Sequence, residues 1–222
     1  MIKIIPVDNQ KQLKDFILLP FKLYQKEPNW VPPLISDQKK FFNPKKNPYY
    51  DHSEVKLFLA QKDGETVGRI SAHSNTQHNK EHNENIGFFG FFECIEEQEV
   101  ANALFDAAFL WNSYRNFTSM RGPLNFSVNE ECGLLIQGFE TPPMVMMPHN
   151  FPYYQKLYEN YGFLKTMDLY AFSSEYHSIP ERITKMAEII TQRNNVQIRS
   201  LSYNKKQRKK DIETVFNIYT RA

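Results

Sequence analysis

Residues 150–172, NFPYYQKLYENYGFLKTMDLYAF, constrain the fold more than any other stretch. Tyr154, Leu157, Tyr158 and Tyr161 recur at i, i+3, i+4 and i+7, which puts four large side chains on one helical face. Asn150 stands where an N-cap belongs, and Pro152 suits the first turn, where its missing N–H costs little. Gly162 follows at the position of a left-handed C-terminal cap. Beyond it the pattern changes to short apolar and aromatic runs, which predict a strand over 163–172.

The rest of the chain supplies a sheet. Ile2 to Val7 reads as a short strand. Asp8 is a plausible N-cap for a helix carrying Leu13, Phe16, Ile17 and Leu18, broken or kinked near Pro20. Residues 26–50, rich in Pro, Asn, Lys and aromatics, read as a long ordered loop with about one turn of helix, a length at which loops are either functional lids or surface wraps. Val55–Ala60 and Thr66–Ala72 are two strands joined through Asp63-Gly64, a strong hairpin signal. Residues 73–85 read as a polar loop. Its histidines, His73, His78 and His82, have spacings that a helix would bring together, but no apolar face supports one, and a solvated loop outweighs a metal site. Ile86–Phe92 (IGFFGFF) is a continuous apolar run, hence a buried central strand. Val100, Leu104, Ala107, Ala108, Trp111 and Tyr114 mark an amphipathic helix, and Ser119–Phe126 the next strand. A short helix is expected near Glu131–Ile136 and an extended Met-rich piece at 144–147.

A charged helix follows at about 180–192, then a strand at Val196–Leu201 and a helix at Asp211–Ala222. That last helix ends without a cap, and its apolar face needs something to pack on. The expected organisation is a main domain at 1–175, a linker helix at 176–194 and the start of a second unit at 195–222, with the remainder of a longer chain as partner.

Composition narrows the function classes. The chain has 222 residues, is 41% hydrophobic and 23% charged, and has a net charge of +2, so global charge points to neither a nucleic acid nor a membrane. The run Lys205–Lys210 (KKQRKK) reads as the solvated start of a helix rather than a nucleic-acid patch. The two cysteines, Cys94 and Cys132, lack metal spacing and cannot form a disulfide framework, so a reducing cytoplasm fits best. A Cys–His nucleophile stays open but weak, because no histidine is close in sequence.

The residues Tyr158, Gly162 and Phe163, and the stretch LFLAQKDGETVGRISA at 57–72, resemble the GNAT N-acyltransferase superfamily, and more specifically the front half of a group of longer bacterial GNAT-like proteins. The resemblance covers about residues 1–173. It implies an α/β (α+β) fold with a mixed, mostly antiparallel central sheet flanked by helices. It also implies acetyl-CoA or another acyl-CoA as cofactor, and a small-molecule amine or acyl thioester as partner. Acyl-CoA would lie in the splay between two central strands, with its pyrophosphate on the helix after the buried strand, where free N–H groups and the helix dipole favour an anion. On that basis Tyr158 would protonate the leaving thiolate and Glu93 would deprotonate the amine. Phe92, Cys94, Val100, Asn125, Asn150 and Tyr154 would contact the cofactor. Trp30, Asn129, Glu130 and Met146 would line a substrate cleft with Ser127, Met144 and Met147.

The chain departs from the family at Glu93–Val100 (ECIEEQEV). No glycine brings the backbone close to phosphates, and Glu93, Glu96, Glu97 and Glu99 crowd the helix start, where they would repel a pyrophosphate. Against each role stands a plainer one: Tyr158 as a core aromatic, Glu93 as a helix-start acid, the 122–138 stretch as an Asn-capped loop. Two functions therefore stand: transfer of an acyl group to an amine, or a non-catalytic GNAT-like scaffold or ligand-binding half.

Overall fold

The computed structural model describes residues 1–173, 179–194 and 199–221, in two compact units, 1–169 and 170–222. The first unit is built on a five-stranded sheet in the order β1 (Ile2–Pro6), β2 (Val55–Lys62), β3 (Glu65–His73), β4 (Ile86–Cys94) and β5 (Ser119–Arg121). The first four are antiparallel neighbours, and β5 runs parallel to β4. This is the mixed, mostly antiparallel α/β sheet that the sequence predicts. The turn between β2 and β3 has both Asp63 (φ 52°) and Gly64 (φ 86°) in the left-handed region, as a tight hairpin turn requires.

β4 is buried along its whole length apart from Glu93, which explains its unbroken apolar run. Helices cover both faces. On one side Phe89 and Phe92 pack with Leu104, Phe105 and Ala108 of α4 (Gln98–Ser113) and with Tyr154, Leu157 and Tyr158 of α5 (Tyr154–Tyr161). On the other, Phe91 packs with Phe16 and Ile17 of α1 (Gln10–Leu23) and with Phe42 and Phe126. The stripe of three tyrosines and Leu157 is therefore one outer layer of a three-layer core, and Gly162 (φ 103°) ends α5 as expected.

Several local expectations change. Asn9, not Asp8, caps α1, in a reciprocal box with Gln12 whose two bonds measure 2.9 and 3.1 Å. α1 continues through Pro20 rather than breaking there. The 26–50 stretch contains α2 (Ile35–Phe41) and a 3₁₀ turn (Pro48–Asp51). Residues 76–82 form α3 (Thr76–His82), capped by Asn75 at its start and by left-handed Asn83 at its end. Capping, not an apolar face, carries this short helix.

Asn150 does not cap α5, which starts after Tyr153; instead its side chain accepts from the Leu135 N–H (2.7 Å) and donates to the Leu135 carbonyl (3.1 Å). That clamp, with Asn125 N–H on the Glu131 carbonyl (2.8 Å) and Gly133 N–H on the Pro123 carbonyl (2.8 Å), uses the backbone groups a helix at 131–136 would need. The β5 ladder stops at Arg121, and residues 163–172 are not a strand, because no described neighbour supplies a ladder for them.

The second unit contains α6 (Glu181–Arg193) and α7 (Lys205–Tyr219). Asn204 caps α7, and Arg199 grips buried Asp211 through two bonds of 2.6 and 2.9 Å. Lys205–Lys210 form the exposed opening turns of α7. The strand expected at Val196–Leu201 falls largely on residues outside those described, and 199–201 are not strand. Ile183, Met186 and Ile190 on α6, and Ile212, Val215 and Phe216 on α7, are exposed.

Close approach at Gly90 holds the 122–126 segment against β4: a Cβ there would lie 1.7 Å from the Leu124 carbonyl oxygen. Gly90→Ala is expected to cost about 2–3 kcal/mol, as other overpacking changes do, read as a lower urea midpoint at constant slope. An unchanged midpoint would mean that this segment is not held by β4.

Candidate active site at the mouth of the central strand

The site begins with a bulge. β3 pairs Arg69 with Glu93 but Ser71 with Gly90, so β4 carries one extra residue between these pairs. Phe91 takes it up at φ 49°, a strained conformation for a bulky side chain. Its N–H, turned out of the ladder, donates to Asn125 Oδ1 at 2.7 Å. The parallel β5 pairs only with Ile86–Phe88. Beyond Phe88 the ladder stops but the chain stays on β4, the Leu124 N–H donating to the Phe89 carbonyl at 2.8 Å, and residues 123–134 and 148–150 lie around the end of the strand. In open α/β sheets the space outside the carboxyl ends of strands is where ligands bind.

Glu93, whose side chain is 12% exposed, organises this end of the strand. Tyr24 and Tyr154 both donate their hydroxyl protons to Glu93 Oε2 at 2.8 Å, and Arg69 Nη2 lies 3.6 Å from Oε1. Pro20 explains how Arg69 is held. A proline has no N–H, so the carbonyl four residues back, on Phe16, has no helical partner. Arg69 Nη1 donates to that carbonyl at 2.8 Å, and its guanidinium sits 4.9 Å from the Phe16 ring centroid. Burial pushes the Glu93 carboxyl upward, opposed by Arg69 and by the two tyrosine hydroxyls; burial also lowers Arg69. The guanidinium starts far enough above neutral to keep its proton, and its charge and the two tyrosine donors favour the ionised form of Glu93 against burial.

A cavity of about 50 Å³ adjoins this pair, lined among others by Arg69, Glu93, Asn125, Glu131, His149 and Tyr158. Most of its polar groups are engaged: Glu131 accepts from Asn125 Nδ2 at 3.0 Å, and the Tyr154 hydroxyl also accepts from the Cys94 N–H at 2.9 Å. Others are not. The Tyr158 hydroxyl makes no hydrogen bond among the described residues, and Arg69 Nε and His149 Nδ1 are buried without a partner. Burial holds Tyr158 firmly protonated and lowers His149, so its imidazole is neutral near pH 7.

The predicted residues are only partly brought together. Glu93, Phe92, Asn125, Asn150, Tyr154 and Tyr158 line the cavity. Cys94 does not; its thiol is buried and pushed up to about 12, and its N–H and carbonyl are taken by Tyr154 and Tyr153. Val100 lies in the core beneath Gly68. Trp30 stacks on Tyr24 at 5.2 Å, one ring away from Glu93. Met146 is exposed, and neither it, Glu130 nor Trp30 lines this cavity. Asn129 belongs to a second cleft of about 480 Å³ between α3 and residues 124–129. Sequence reading missed Arg69, Tyr24 and His149. The first had a signal: a lone arginine inside the apolar β3 run, with Pro20 freeing a carbonyl on α1.

α3 brings His78 and His82 together, ring centroids 4.4 Å apart, whereas His73 is buried with its pKa lowered to about 3. Among the described residues no three His, Cys, Asp or Glu side chains are grouped to hold a metal, and no helix is long and apolar enough to cross a membrane. The acidic start of α4 is less charged than its letters imply: Glu93 is buried against Arg69, and Glu97 pairs with Lys62 at 2.6 Å.

Replacing Arg69 by Met would leave Glu93 buried without its cation, at an expected cost of about 3–5 kcal/mol at neutral pH. The variant's Glu93 would have a folded-state pKa above its unfolded value of about 4.3. The loss is therefore greatest above the folded pKa and relieved as pH falls towards the unfolded one. A pH series of urea midpoints reads this directly; a pH-independent loss would contradict the pairing.

No family model matches the chain. It is 42% identical over 182 residues, 81% of its length, to a bacterial ceramide synthase of Caulobacter vibrioides, of which it covers 47%. It is 40% identical over 164 residues, 74% of its length, to protein YghO of Escherichia coli, of which it covers 42%. The chain thus spans about half the length of the curated relatives it matches. Among solved structures it is similar to an aminoglycoside acetyltransferase from an uncultured soil metagenomic sample in complex with trehalose, at 11% identity and a TM-score of 0.47, covering 79% of this chain and 97% of that one. The chain carries a mixed α/β fold, and over its matched length it is similar to longer bacterial proteins.

Proposed function

We propose that this chain takes part in N-acyl transfer, in which an amine attacks an acyl-CoA or another acyl thioester at the mouth of β4. The observation that carries this reading is the small cavity where an unpartnered Tyr158 hydroxyl meets a buried, fully engaged carboxylate. The amine nitrogen bonds to the thioester carbon, the C–S bond breaks, and the amine gives up a proton. Tyr158, kept protonated by burial, donates a hydrogen bond to the departing sulfur, which then takes a proton from solvent. Glu93 and Arg69 fix the surrounding dipoles before substrate arrives, which is where such electrostatic help is most effective.

The similarity to a protein named ceramide synthase suggests the substrate class. A ceramide is an N-acylated long-chain amino alcohol, so a fatty acyl thioester and a long-chain amine are the proposed pair. The larger cleft supports this choice: Phe88, Leu124, Phe126 and Val128 give it an apolar wall, and Asn129 and His78 a polar one. A cytoplasmic setting fits the two free thiols.

A second reading is favoured by one observation. Glu96 and Glu99 remain at the start of α4 and no glycine follows β4, so a phosphate would meet negative charge there. On that reading the chain is a non-catalytic scaffold or ligand-binding half within a longer protein.

Thiol release from long-chain acyl-CoA in the presence of a long-chain amino alcohol separates the two. Tyr158→Phe is expected to lower turnover about 100-fold with little change in KM. Equal turnover would remove Tyr158 from the reaction, and acyl-CoA binding without thiol release would favour the scaffold.

A further inference from the structure

The carboxylate that motif reasoning selects as the base is poorly suited to it. Glu93 Oε2 already accepts two tyrosine hydroxyls, and Oε1 faces Arg69. Protonating it would break this arrangement and leave a buried guanidinium without its anion. Asn125 Oδ1 is occupied by the Phe91 N–H, and Glu131 accepts from Asn125. Two base-type acceptors of the cavity lining remain open: Glu131 Oε1, on an exposed residue, and His149 Nδ1, the one that is buried without a partner. Its ring is held from two sides. The next residue, Asn150, is clamped to both backbone groups of Leu135, and the Tyr24 ring packs edge-on against the imidazole at 5.8 Å.

We propose that His149, through Nδ1, takes the proton released by the attacking amine, and that Glu93 is a positioning residue that holds Tyr24 and Tyr154 rather than the base. The inference rests on the acyl-transfer reading and names the proton's destination within it. As the C–N bond forms, the ammonium proton moves to the imidazole; His149 then returns it to solvent as the thiol leaves.

The groups facing His149 favour a neutral ring in the resting state. Tyr24 and Glu27 come from the end of α1 and the turn after it. Arg69 and Glu93 come from β3 and β4, Glu131 from the loop, and Tyr154 and Tyr158 from α5. Glu27 favours the charged ring, but burial outweighs it. Turnover therefore needs the neutral form and falls as pH drops through a value below the ordinary histidine pKa of about 6.5.

The test is the pH profile of kcat for the protein and for His149→Gln, with thiol release from acyl-CoA as the readout. The expected result is a loss of about 100-fold or more, disappearance of the acid limb, and an unchanged KM for the thioester. Recovery of turnover by added imidazole in His149→Ala would mark a chemical rather than a packing role. A His149→Gln protein with the original kcat and acid limb would overturn the inference alone. If the variants do not fold, ¹⁵N NMR of the unsubstituted protein decides: a neutral His149 at pH 7 supports the assignment and a charged one overturns it. No thiol release by the unsubstituted protein would remove the reaction itself, and this step with it.

Discussion

The ion pair between Arg69 and Glu93 is the constraint on which the functional half of the fold depends. Each member is buried, and neither could be tolerated without the other. The pair is possible because three separate parts of the sequence supply its partners. α1 gives a carbonyl that Pro20 has released, and also the Tyr24 hydroxyl. α5 gives Tyr154, and β4 gives the bulge that sets Phe91 and Glu93 in their places. A proline that looks like a helix breaker and a tyrosine stripe that looks like plain core packing are thus parts of one polar network.

That network separates two roles that a sequence motif would merge. A buried carboxylate with every acceptor position occupied sets geometry and field; it does not exchange protons readily. Unmet hydrogen-bonding capacity lies elsewhere in the lining, and the proposed mechanism uses two such groups, the Tyr158 hydroxyl and His149 Nδ1. Catalytic sites commonly leave such capacity unmet, at some cost in stability, so that substrate can complete it. The strained Phe91 is a second cost in the same place.

The sheet was legible because its signals are local. Asp63-Gly64 fixed the hairpin, the IGFFGFF run fixed the central strand, and Tyr154, Leu157, Tyr158 and Tyr161 with Gly162 fixed α5. What was not legible depends on partners distant in sequence. Asn150 reads as a cap but binds Leu135; residues 163–172 read as a strand but find no described neighbour; Glu131–Ile136 reads as a helix but its backbone is already committed. α3 lacks an apolar face and forms through its asparagine caps. In the site, Tyr158 and Glu93 were named through the family resemblance, and both line the cavity. Arg69 was passed over although a lone arginine in an apolar strand marked it; His149 carried no such mark, because an unsatisfied nitrogen is a property of the fold and not of the letters.

The central claim is that the acyl thioester reacts at the end of β4, beside Glu93, and not at the α3 cleft or the second unit. The most direct measurement is protein-observed NMR during titration with a non-hydrolysable acyl-CoA thioether. The account predicts the largest shifts at the Glu93 and Cys94 amides, the Tyr158 ring and the His149 imidazole, saturating together. Shifts confined to α3 or to residues beyond 170, with the end of β4 unmoved, would contradict it.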